Sequence, residues 1–386
     1  MLTNNNITKE QYIKYLAAIP IEKQEFDLQE RKNEKNLKLA NPIKEYWQQV
    51  NRFLFSGGVH IDVSNAEKDD PRQDFLDNVI TYTKLKDYLY SCFKELSVYG
   101  ELLVTINLTE ENKYVFSYFT KNEFEYNYSS GELKEVSIYA KRKQGKKYYV
   151  FKQKFTPETI TNYPLVELKS ADTYDWEKHK KEAKNNYKEC PCILIQNNLG
   201  ILNDRGEGDF DDHVIGIVEA IFMLLLDGCE NIHFMGDPLL LSPEPDITSK
   251  EMQNKEKVIT KFEKEDGGKV EALTLNPISA QSLEYLSNLE VLFKKALGIR
   301  YTESDNTKET SSVTLKILNS LTINKAQEKW DYIINQGFIE VLQKTLKYSY
   351  IDGNLKGYSS EDPEDYKVTI TRIKPFFPES YQEKLT

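Results

Sequence analysis

The sequence predicts an α+β fold, in which groups of strands and long helices occupy different parts of the chain. Apolar residues recur every three or four positions over 71–98, 209–234, 278–298 and 311–348, which is the periodicity of helices. Runs of alternating apolar and polar residues lie between 101 and 196, with glycines at their turns. With 386 residues the chain is long for one compact domain, so we expect two or more lobes.

Composition restricts the class of protein. The formal net charge is −10, whereas a protein that grips nucleic acid through its phosphates usually carries a basic stripe. A DNA partner would therefore be held loosely. The longest apolar stretch, 214–226, is too short to span a bilayer, and the first residues have no signal-peptide pattern, so no membrane partner is expected.

The first hundred residues predict helices and one strand. Two or three helices are expected over 7–55, and the segment 43–54 carries an apolar face. Val59, Ile61 and Val63 alternate with polar residues as in a short strand. Pro71 then begins one long helix that we expect to reach about Val98.

The next hundred residues predict mainly strands. Runs at 101–106, 113–119, 132–141 and 146–155 indicate an antiparallel meander, with Gly131 and Gly145 at turns. The polar segment 170–188 is expected to be a loop or a solvated helix. The run 190–196 predicts another strand, and Gly206-Glu-Gly208 indicates a hinge-like linker after it.

From residue 209 the pattern becomes helical. Asp209, Asp211 and Asp212 precede an apolar stripe, a position where acids favour the helix dipole. Between this helix and the one at 278–298 the sequence predicts a short strand, a charged helix at 248–265 and a second strand. A polar run at 301–310 leads to the longest helix, 311–348, which Gly337 is expected to kink. An alternating strand at 366–373 closes the pattern.

Sequence motifs for catalysis are scarce. The chain has no phosphate-binding glycine loop, and its four histidines have no partners at metal-ligand spacing. Cys190 and Cys192 have no second pair to complete a zinc site, so two buried thiols are expected. The segment Asp209-Phe-Asp-Asp-His213 permits two interpretations: acids at a helix start, which we favour, or a divalent-metal site of a nuclease. We expect no catalytic residue, no metal site and no cofactor.

The order of the elements from 71 to 380 resembles the portal proteins of tailed bacteriophages. Ser311-Ser-Val-Thr-Leu-Lys316 is similar to the Ser-Gly-x-Ala-Leu-Lys stretch that opens the long helix of that family, with the glycine and alanine replaced. The run from Val368 to Glu379 resembles the late strand and its proline. The run from Cys190 to Asn198 resembles the strand and asparagine before the family's first stem helix.

This resemblance implies a portal-like α+β fold with an α/β wing, two stem helices, a small α/β clip and a long tunnel-wall helix. The corresponding segments are an N-terminal helical arm at 1–40, the wing at 41–208, stem helix 1 at 209–234, the clip at 235–277, stem helix 2 at 278–298, the tunnel loop at 299–310, the long helix at 311–350 and a returning strand at 351–386. A helical crown after that strand is expected to be short or absent.

The resemblance also implies a role and partners. The chain would be a structural subunit of a ring, dodecameric in the family, at one capsid vertex of the virion, made in the host cytoplasm. Double-stranded DNA would pass through the channel during packaging and ejection. The other implied partners are the terminase large subunit, the major capsid and scaffolding proteins, and a head-completion adaptor.

Candidate site residues follow from the same resemblance. The residues expected at the channel are Thr302, Ser304, Asn306, Thr307 and Lys308 of the tunnel loop, and Lys316 at the start of the long helix. The residues expected to dock terminase or adaptor are Lys250, Glu251, Lys255, Lys257 and Lys261 of the clip. Three alternatives stay open: another phage adaptor or baseplate component, the metal-dependent nuclease, and a monomeric binding module.

Overall fold

The computed structural model describes residues 9–18, 41–197, 205–236, 239–241, 271–273, 280–300 and 316–373, apart from 56, 68, 130, 131 and 360. The chain divides into two compact units. Unit 1 consists of Met1–Tyr15, Lys44–Asp211 and Gly298–Thr386, and unit 2 of Leu16–Ile43 and Asp212–Leu297.

Helices are found in both units. Nine α-helices lie in the described residues: α1 Lys9–Ala18, α2 Pro42–Leu54, α3 Pro71–Thr83, α4 Leu85–Tyr99, α5 Leu168–Ala171, α6 Asp212–Gly236, α7 Ala280–Ala296, α8 Ser320–Trp330 and α9 Ile339–Ile351. Three short 3₁₀ turns cover Lys121–Glu123, Glu177–His179 and Pro363–Tyr366. A π-helical segment, Asp331–Phe338, joins α8 to α9.

The strands form four sheets. Their bounds are β1 Val59–Val63, β2 Glu101–Leu108, β3 Tyr114–Thr120, β4 Phe124–Ser129, β5 Glu132–Gln144, β6 Lys147–Phe155, β7 Thr159–Asn162, β8 Val166–Glu167, β9 Lys181–Lys184, β10 Cys192–Gln196, β11 Leu239–Leu241, β12 Glu271–Leu273 and β13 Val368–Arg372. One sheet has the order β10-β2-β3 and the largest β4-β5-β6-β7-β9, with β8 beside β6. The other two are the pairs β1-β13 and β11-β12.

Every strand pair in the described part of the chain is antiparallel. The predicted mixture of helices and strands is confirmed. The first six residues of β2 are buried, so both faces of the β10-β2-β3 sheet are covered. Helix α4 contacts β2 and β3, while the π segment contacts β10. Asn197, which follows β10, therefore lies close to the long C-terminal helix.

The thiols of Cys190 and Cys192 are buried, as expected. They belong to an apolar cluster with Leu103, Phe119 and Phe155. Burial raises the pKa of the Cys190 thiol to about 11, which keeps it protonated near neutral pH.

The single helix predicted over 71–98 is wrong, because two helices meet at Lys84. Its φ of 50° lies in the left-handed region, and its N–H donates to the carbonyls of Ile80 and Thr81. This geometry ends α3, and α4 begins at the next residue. No glycine or proline marks this break in the sequence.

The predicted meander is also wrong in its connectivity. β2 pairs with β10 on one side and with β3 on the other, whereas β5 and β6 belong to the larger sheet. The sequence analysis missed β4, which pairs with β5, and β9, which forms an edge of the larger sheet. The segment 170–188 is therefore not only loop or helix, because it contains Lys181–Lys184 as a strand.

The long C-terminal helix departs from the predicted regular helix. A turn at Asn319, with φ −98° and ψ 9°, precedes α8, and the helix is π-helical over Asp331–Phe338. Gly337 lies in that segment, where an added Cβ would approach Cδ1 of Ile195 to 2.6 Å. The glycine thus permits close contact with β10. Residues 311–315 of the predicted helix lie outside the described residues.

Unit 2 contains α6 and α7, which pack against each other. The short pair β11-β12 falls in the region predicted as the clip. The charged helix predicted at 248–265 lies outside the described residues. Among the described residues, no helix is long and apolar enough to cross a membrane.

Candidate functional site

The segment 205–209, which leads towards α6, is held by backbone hydrogen bonds. The N–H of Glu207 donates to the carbonyl of Asn197 at 3.0 Å, and the N–H of Asp209 donates to that of Ser97 at 2.7 Å. The N–H of Asn197 in turn donates to the carbonyl of Gly100 at 2.8 Å. The segment is therefore fastened both to the end of α4 and to the residue that follows β10.

The glycines of this segment allow close backbone packing. A Cβ on Gly206 would lie within 3.0 Å of the carbonyl oxygens of Gly100 and Asn197. A Cβ on Gly208 would come equally close to the carbonyls of Ser97 and Val98. The prediction of a hinge-like linker at Gly206-Glu-Gly208 is thus wrong, because these glycines allow close packing against neighbouring backbone and do not provide a flexible joint.

A buried carboxylate holds the start of the segment. Glu101 is fully buried and forms an ion pair with Arg205. The same carboxylate accepts hydrogen bonds from Gln196 at 2.7 Å and from the hydroxyl of Tyr126 at 3.0 Å. The Arg205 guanidinium lies 5.0 Å from the centre of the Tyr126 ring. A buried charge with this many partners is well compensated.

A second buried ion pair holds the end of the segment. Nζ of Lys329 in α8 lies 2.5 Å from Oδ1 of Asp209 and 2.5 Å from Oδ1 of Asn197. Both charged side chains are at most 1% exposed. Asp209 also accepts a hydrogen bond from the hydroxyl of Tyr46 at 2.8 Å, and Lys325 lies 3.6 Å away. Residues from four parts of unit 1 thus meet in one polar cluster.

Burial and charge act against each other on this pair. Burial raises the pKa of Asp209, but the positive charges of Lys329 and Lys325 outweigh it, so the pKa falls below its usual range. Burial lowers the pKa of Lys329, and the Asp209 carboxylate offsets only part of that change. Each charge of the pair thus favours the ionised form of the other.

This geometry corrects the interpretation of the acidic cluster. Asp209 lies three residues before α6 and serves Lys329, so the expectation that it favours the helix start is wrong. Asp212 does lie in the first turn of the helix. Asp211, Asp212 and His213 are exposed, whereas Asp209 is buried. The described residues contain no group of three His, Cys, Asp or Glu side chains that could hold a metal ion.

The sequence analysis missed Lys329 and Asn197, and only Lys329 has a local signal. It lies three residues after buried Ala326 and four before buried Ile333, which places a lysine within the apolar stripe of a helix. A cation at such a position needs a buried partner. The sequence does not show which of the many carboxylates provides it.

The predicted site residues fall mainly outside the described residues. This is so for Thr302, Ser304, Asn306, Thr307 and Lys308 of the tunnel loop, and for Lys250, Glu251, Lys255, Lys257 and Lys261 of the clip. Lys316 is exposed at the first described position after the loop. The two flanks of the loop are joined, because the hydroxyl of Thr322 accepts from the N–H of Arg300 at 2.9 Å and donates to its carbonyl at 2.5 Å.

Helix α7 has more apolar residues than it buries. Leu289 and Phe293 are buried, one turn apart. Tyr285 and Leu292 are about half exposed on one side of that stripe, and Leu283 and Val291 are more than half exposed elsewhere on the helix. A helix that is apolar around most of its surface is usually buried on more than one side. The exposed residues of α7 therefore form a candidate contact surface.

The candidate contact surface on α7 is apolar, which is typical of a protein that associates with other chains. A family model described as phage portal protein, SPP1 Gp6-like, matches residues 3–375. The chain belongs to this family of phage portal proteins. No curated protein matches the chain. Proteins of this family have a structural role in the phage capsid.

Proposed function

We propose that this protein is the ring-forming portal subunit through which double-stranded DNA is packaged into the capsid and later ejected. The observation that carries this proposal is the family match over residues 3–375. The proposed parts are an arm at 1–40, a wing at 41–208, stem helices at 209–234 and 278–298, a clip at 235–277, a tunnel loop at 299–310, a tunnel-wall helix at 311–350 and a returning strand at 351–386.

The exposed apolar residues of α7 support ring formation. Association of identical subunits head to tail buries one surface of each copy against a different surface of the next, and it closes into a ring when the rotation closes. Leu283, Val291 and Leu292 are the side chains that such a contact would remove from water. A dodecamer is the stoichiometry that we propose from the family resemblance.

The channel proposal draws on charge and on the anchored loop. The net charge of −10 disfavours tight phosphate binding over the whole surface, which suits a channel through which DNA slides. Arg300 and Thr322 hold the flanks of the proposed tunnel loop, and Lys316 is exposed close to its end. We propose that Thr302, Ser304, Asn306, Thr307, Lys308 and Lys316 face the DNA.

The clip is the proposed docking region for the terminase large subunit and the head-completion adaptor. The charged residues proposed for this contact are Lys250, Glu251, Lys255, Lys257 and Lys261. Deletion of 248–266 should abolish DNA packaging while rings still form. Normal packaging by that variant would contradict the docking role.

Ring formation is tested by measuring the mass of the purified full chain by light scattering and by imaging it in negative stain. We expect a closed ring with a central hole for the wild type. The pair Val291→Glu and Leu292→Glu should give a folded single subunit, because it places charge on the exposed face of α7. The matched control is Leu108→Glu with Leu165→Glu, which are also exposed apolar residues but lie in unit 1.

The control should keep the wild-type mass. A wild-type chain that remains a single subunit under all assembly conditions would refute the ring. A ring in the α7 variant would show that this face is not part of the interface.

A further inference from the structure

The hairpin of β5 and β6 extends beyond the sheet that contains it. The last β5 residue that pairs with β4 is Ile138, so from Tyr139 to Gln144 this strand pairs only with β6. On the other strand, Lys147 and Tyr148 precede the residues of β6 that pair with β7 or β8. Residues 143–148 therefore form a two-stranded end of the hairpin, while Lys141 and Arg142 lie opposite the two β6 residues that also pair with β8. We call residues 139–148 the β5–β6 ribbon.

The end of this ribbon is strongly basic in an acidic chain. Lys141, Arg142, Lys143, Lys146 and Lys147 fall within seven residues, and all five are exposed. No acidic residue lies between 139 and 148. The rest of the chain must therefore be even more acidic than the net charge of −10 indicates.

Two of these five cations are neutralised and three are not. Arg142 lies 2.5 Å from a carboxylate oxygen of Glu123, and Lys147 lies 2.9 Å from one of Glu167. Lys141, Lys143 and Lys146 have no carboxylate within 4.0 Å among the residues that the structure describes. Lys141 and Lys143 project from the same face of β5, because side chains two apart on a strand share a face.

The composition of the ribbon argues against a protein partner. Lysine is depleted in protein–protein interfaces, whose centres are apolar or aromatic. Residues 141–147 contain no apolar side chain, and Gly145 at the turn has no side chain at all. The nearest aromatic residues, Tyr139 and Tyr148, are 44% and 50% exposed, and Lys143 lies over the Tyr148 ring at 5.8 Å. Such a surface offers charge and little apolar area.

We propose that the β5–β6 ribbon is a weak, sequence-independent binding site for the phosphate backbone of duplex DNA. A two-stranded β-ribbon fits the major groove of B-form DNA, and lysines beside the groove neutralise phosphates. Three lysines without carboxylate partners give a contact that salt weakens readily. The inference rests on the proposed function in one respect, which is that duplex DNA is a partner of this protein.

The test is fluorescence anisotropy of the full chain with a labelled 30-base-pair duplex between 50 and 200 mM NaCl. The variant is Lys141→Gln, Lys143→Gln and Lys146→Gln together. Each lysine bound to a phosphate contributes about 0.9 to the slope of log K against log salt, so the slope should decrease by about 2.7. The factor by which the three lysines raise the binding constant should fall about 40-fold between 50 and 200 mM NaCl.

The matched control is Lys178→Gln, Lys181→Gln and Lys184→Gln, which removes the same charge at and beside the edge strand β9 of the same sheet. We expect its affinity and slope to stay near those of the wild type. Substitution of the three ribbon lysines by arginine should retain binding. Circular dichroism should show both glutamine variants folded, since the substituted side chains are exposed.

Three results would overturn the proposal. The first is that the wild type binds no duplex even at 50 mM NaCl, and the second is that both glutamine variants lose affinity equally, which would indicate net charge alone. A ribbon variant with unchanged DNA affinity but a reduced assembled mass would assign the ribbon to contact with another copy. A wild type that forms no ring would refute the proposed function without deciding the DNA result.

Discussion

The pair of Lys329 and Asp209 allows an asymmetric prediction for the stability of unit 1. Lys329→Met leaves the Asp209 carboxylate with Lys325 at 3.6 Å and with the Tyr46 hydroxyl at 2.8 Å. Asp209→Asn leaves the buried Lys329 ammonium with the neutral oxygen of Asn197 and with the Glu328 carboxylate 3.9 Å away, and Lys325 repels it. Removal of one partner from a buried pair costs about 3–5 kcal/mol. We expect Asp209→Asn near the upper limit and Lys329→Met near the lower.

The double variant, Lys329→Met with Asp209→Asn, should be more stable than the less stable of the two single variants, because it removes both charges and leaves neither one buried without its partner. Urea unfolding followed by tryptophan fluorescence measures these costs at constant m value. Trp47, Trp176 and Trp330 all lie in unit 1 and are the three tryptophans of the chain, so the signal reports that unit. Single costs below about 1 kcal/mol, or strictly additive costs in the double variant, would refute the reasoning.

The pH dependence of Asp209→Asn supplies a second measurement. The pKa of Lys329 already lies below 10.5 in the folded protein, and loss of the carboxylate lowers it further. Between the lowered folded pKa and 10.5 the unfolded chain then binds more protons than the folded one, so the stability of the variant rises with pH across that window. The penalty should be smaller at pH 9 than at pH 6, and an unchanged penalty would show that the amine is not buried.

Three further predictions concern two packed glycines and the ion pair of Asp70 with Arg72. Gly206→Ala should lower the free energy of unfolding by about 1–3 kcal/mol, because its Cβ is forced against the Gly100 backbone. Gly216→Ala in α6 has open space around the new Cβ and should raise it by up to about 1 kcal/mol. Urea midpoints that shift in the same direction for both variants would contradict this. Gly337→Ala should cost about 1–3 kcal/mol, and Ile195→Val should recover part of it in a double variant, since Cδ1 of Ile195 is the nearest obstacle; no recovery would place the strain elsewhere. Asp70→Asn should cost about 2–3 kcal/mol at pH 7, because its hydrogen bonds with Arg72 lower the pKa of Asp70 below 3.8. That stability is present above pH 3.8 and is lost as the pH falls through the folded value, so wild type and variant should converge in acid.

Periodicity placed most regular elements correctly. Helix α7 was expected over 278–298 and spans Ala280–Ala296, and the alternating residues of Val59–Val63 and Val368–Arg372 form strands that pair with each other. The two strands have one apolar face, and α7 repeats apolar residues every three or four positions, which makes the period of each visible. Strand β9 has no such face: Lys181–Lys184 is exposed throughout and owes its conformation to the hydrogen bonds of β7. No local pattern could have shown it.

The polar clusters could not be predicted because their partners are distant in sequence. Asp209 was interpreted from its neighbours as part of a helix start, while its true partner, Lys329, lies 120 residues later. Gly206 and Gly208 were interpreted as flexible for the same reason, since the backbone that excludes their Cβ atoms belongs to the end of α4, to Gly100 and to Asn197. The sequence shows that a buried lysine needs a counterion, and only the fold identifies it.

The bond between Arg300 and Thr322 has a consequence for how such proteins diverge. The two ends of the intervening stretch meet at a fixed point, where one hydroxyl both donates to and accepts from the same backbone residue. The entropy of closing a chain grows only with the logarithm of its length, so a doubling costs about 0.6 kcal/mol. Insertions and deletions in this stretch should therefore leave the helix that follows undisturbed as long as a hydroxyl is kept at position 322, because position 300 contributes only its backbone.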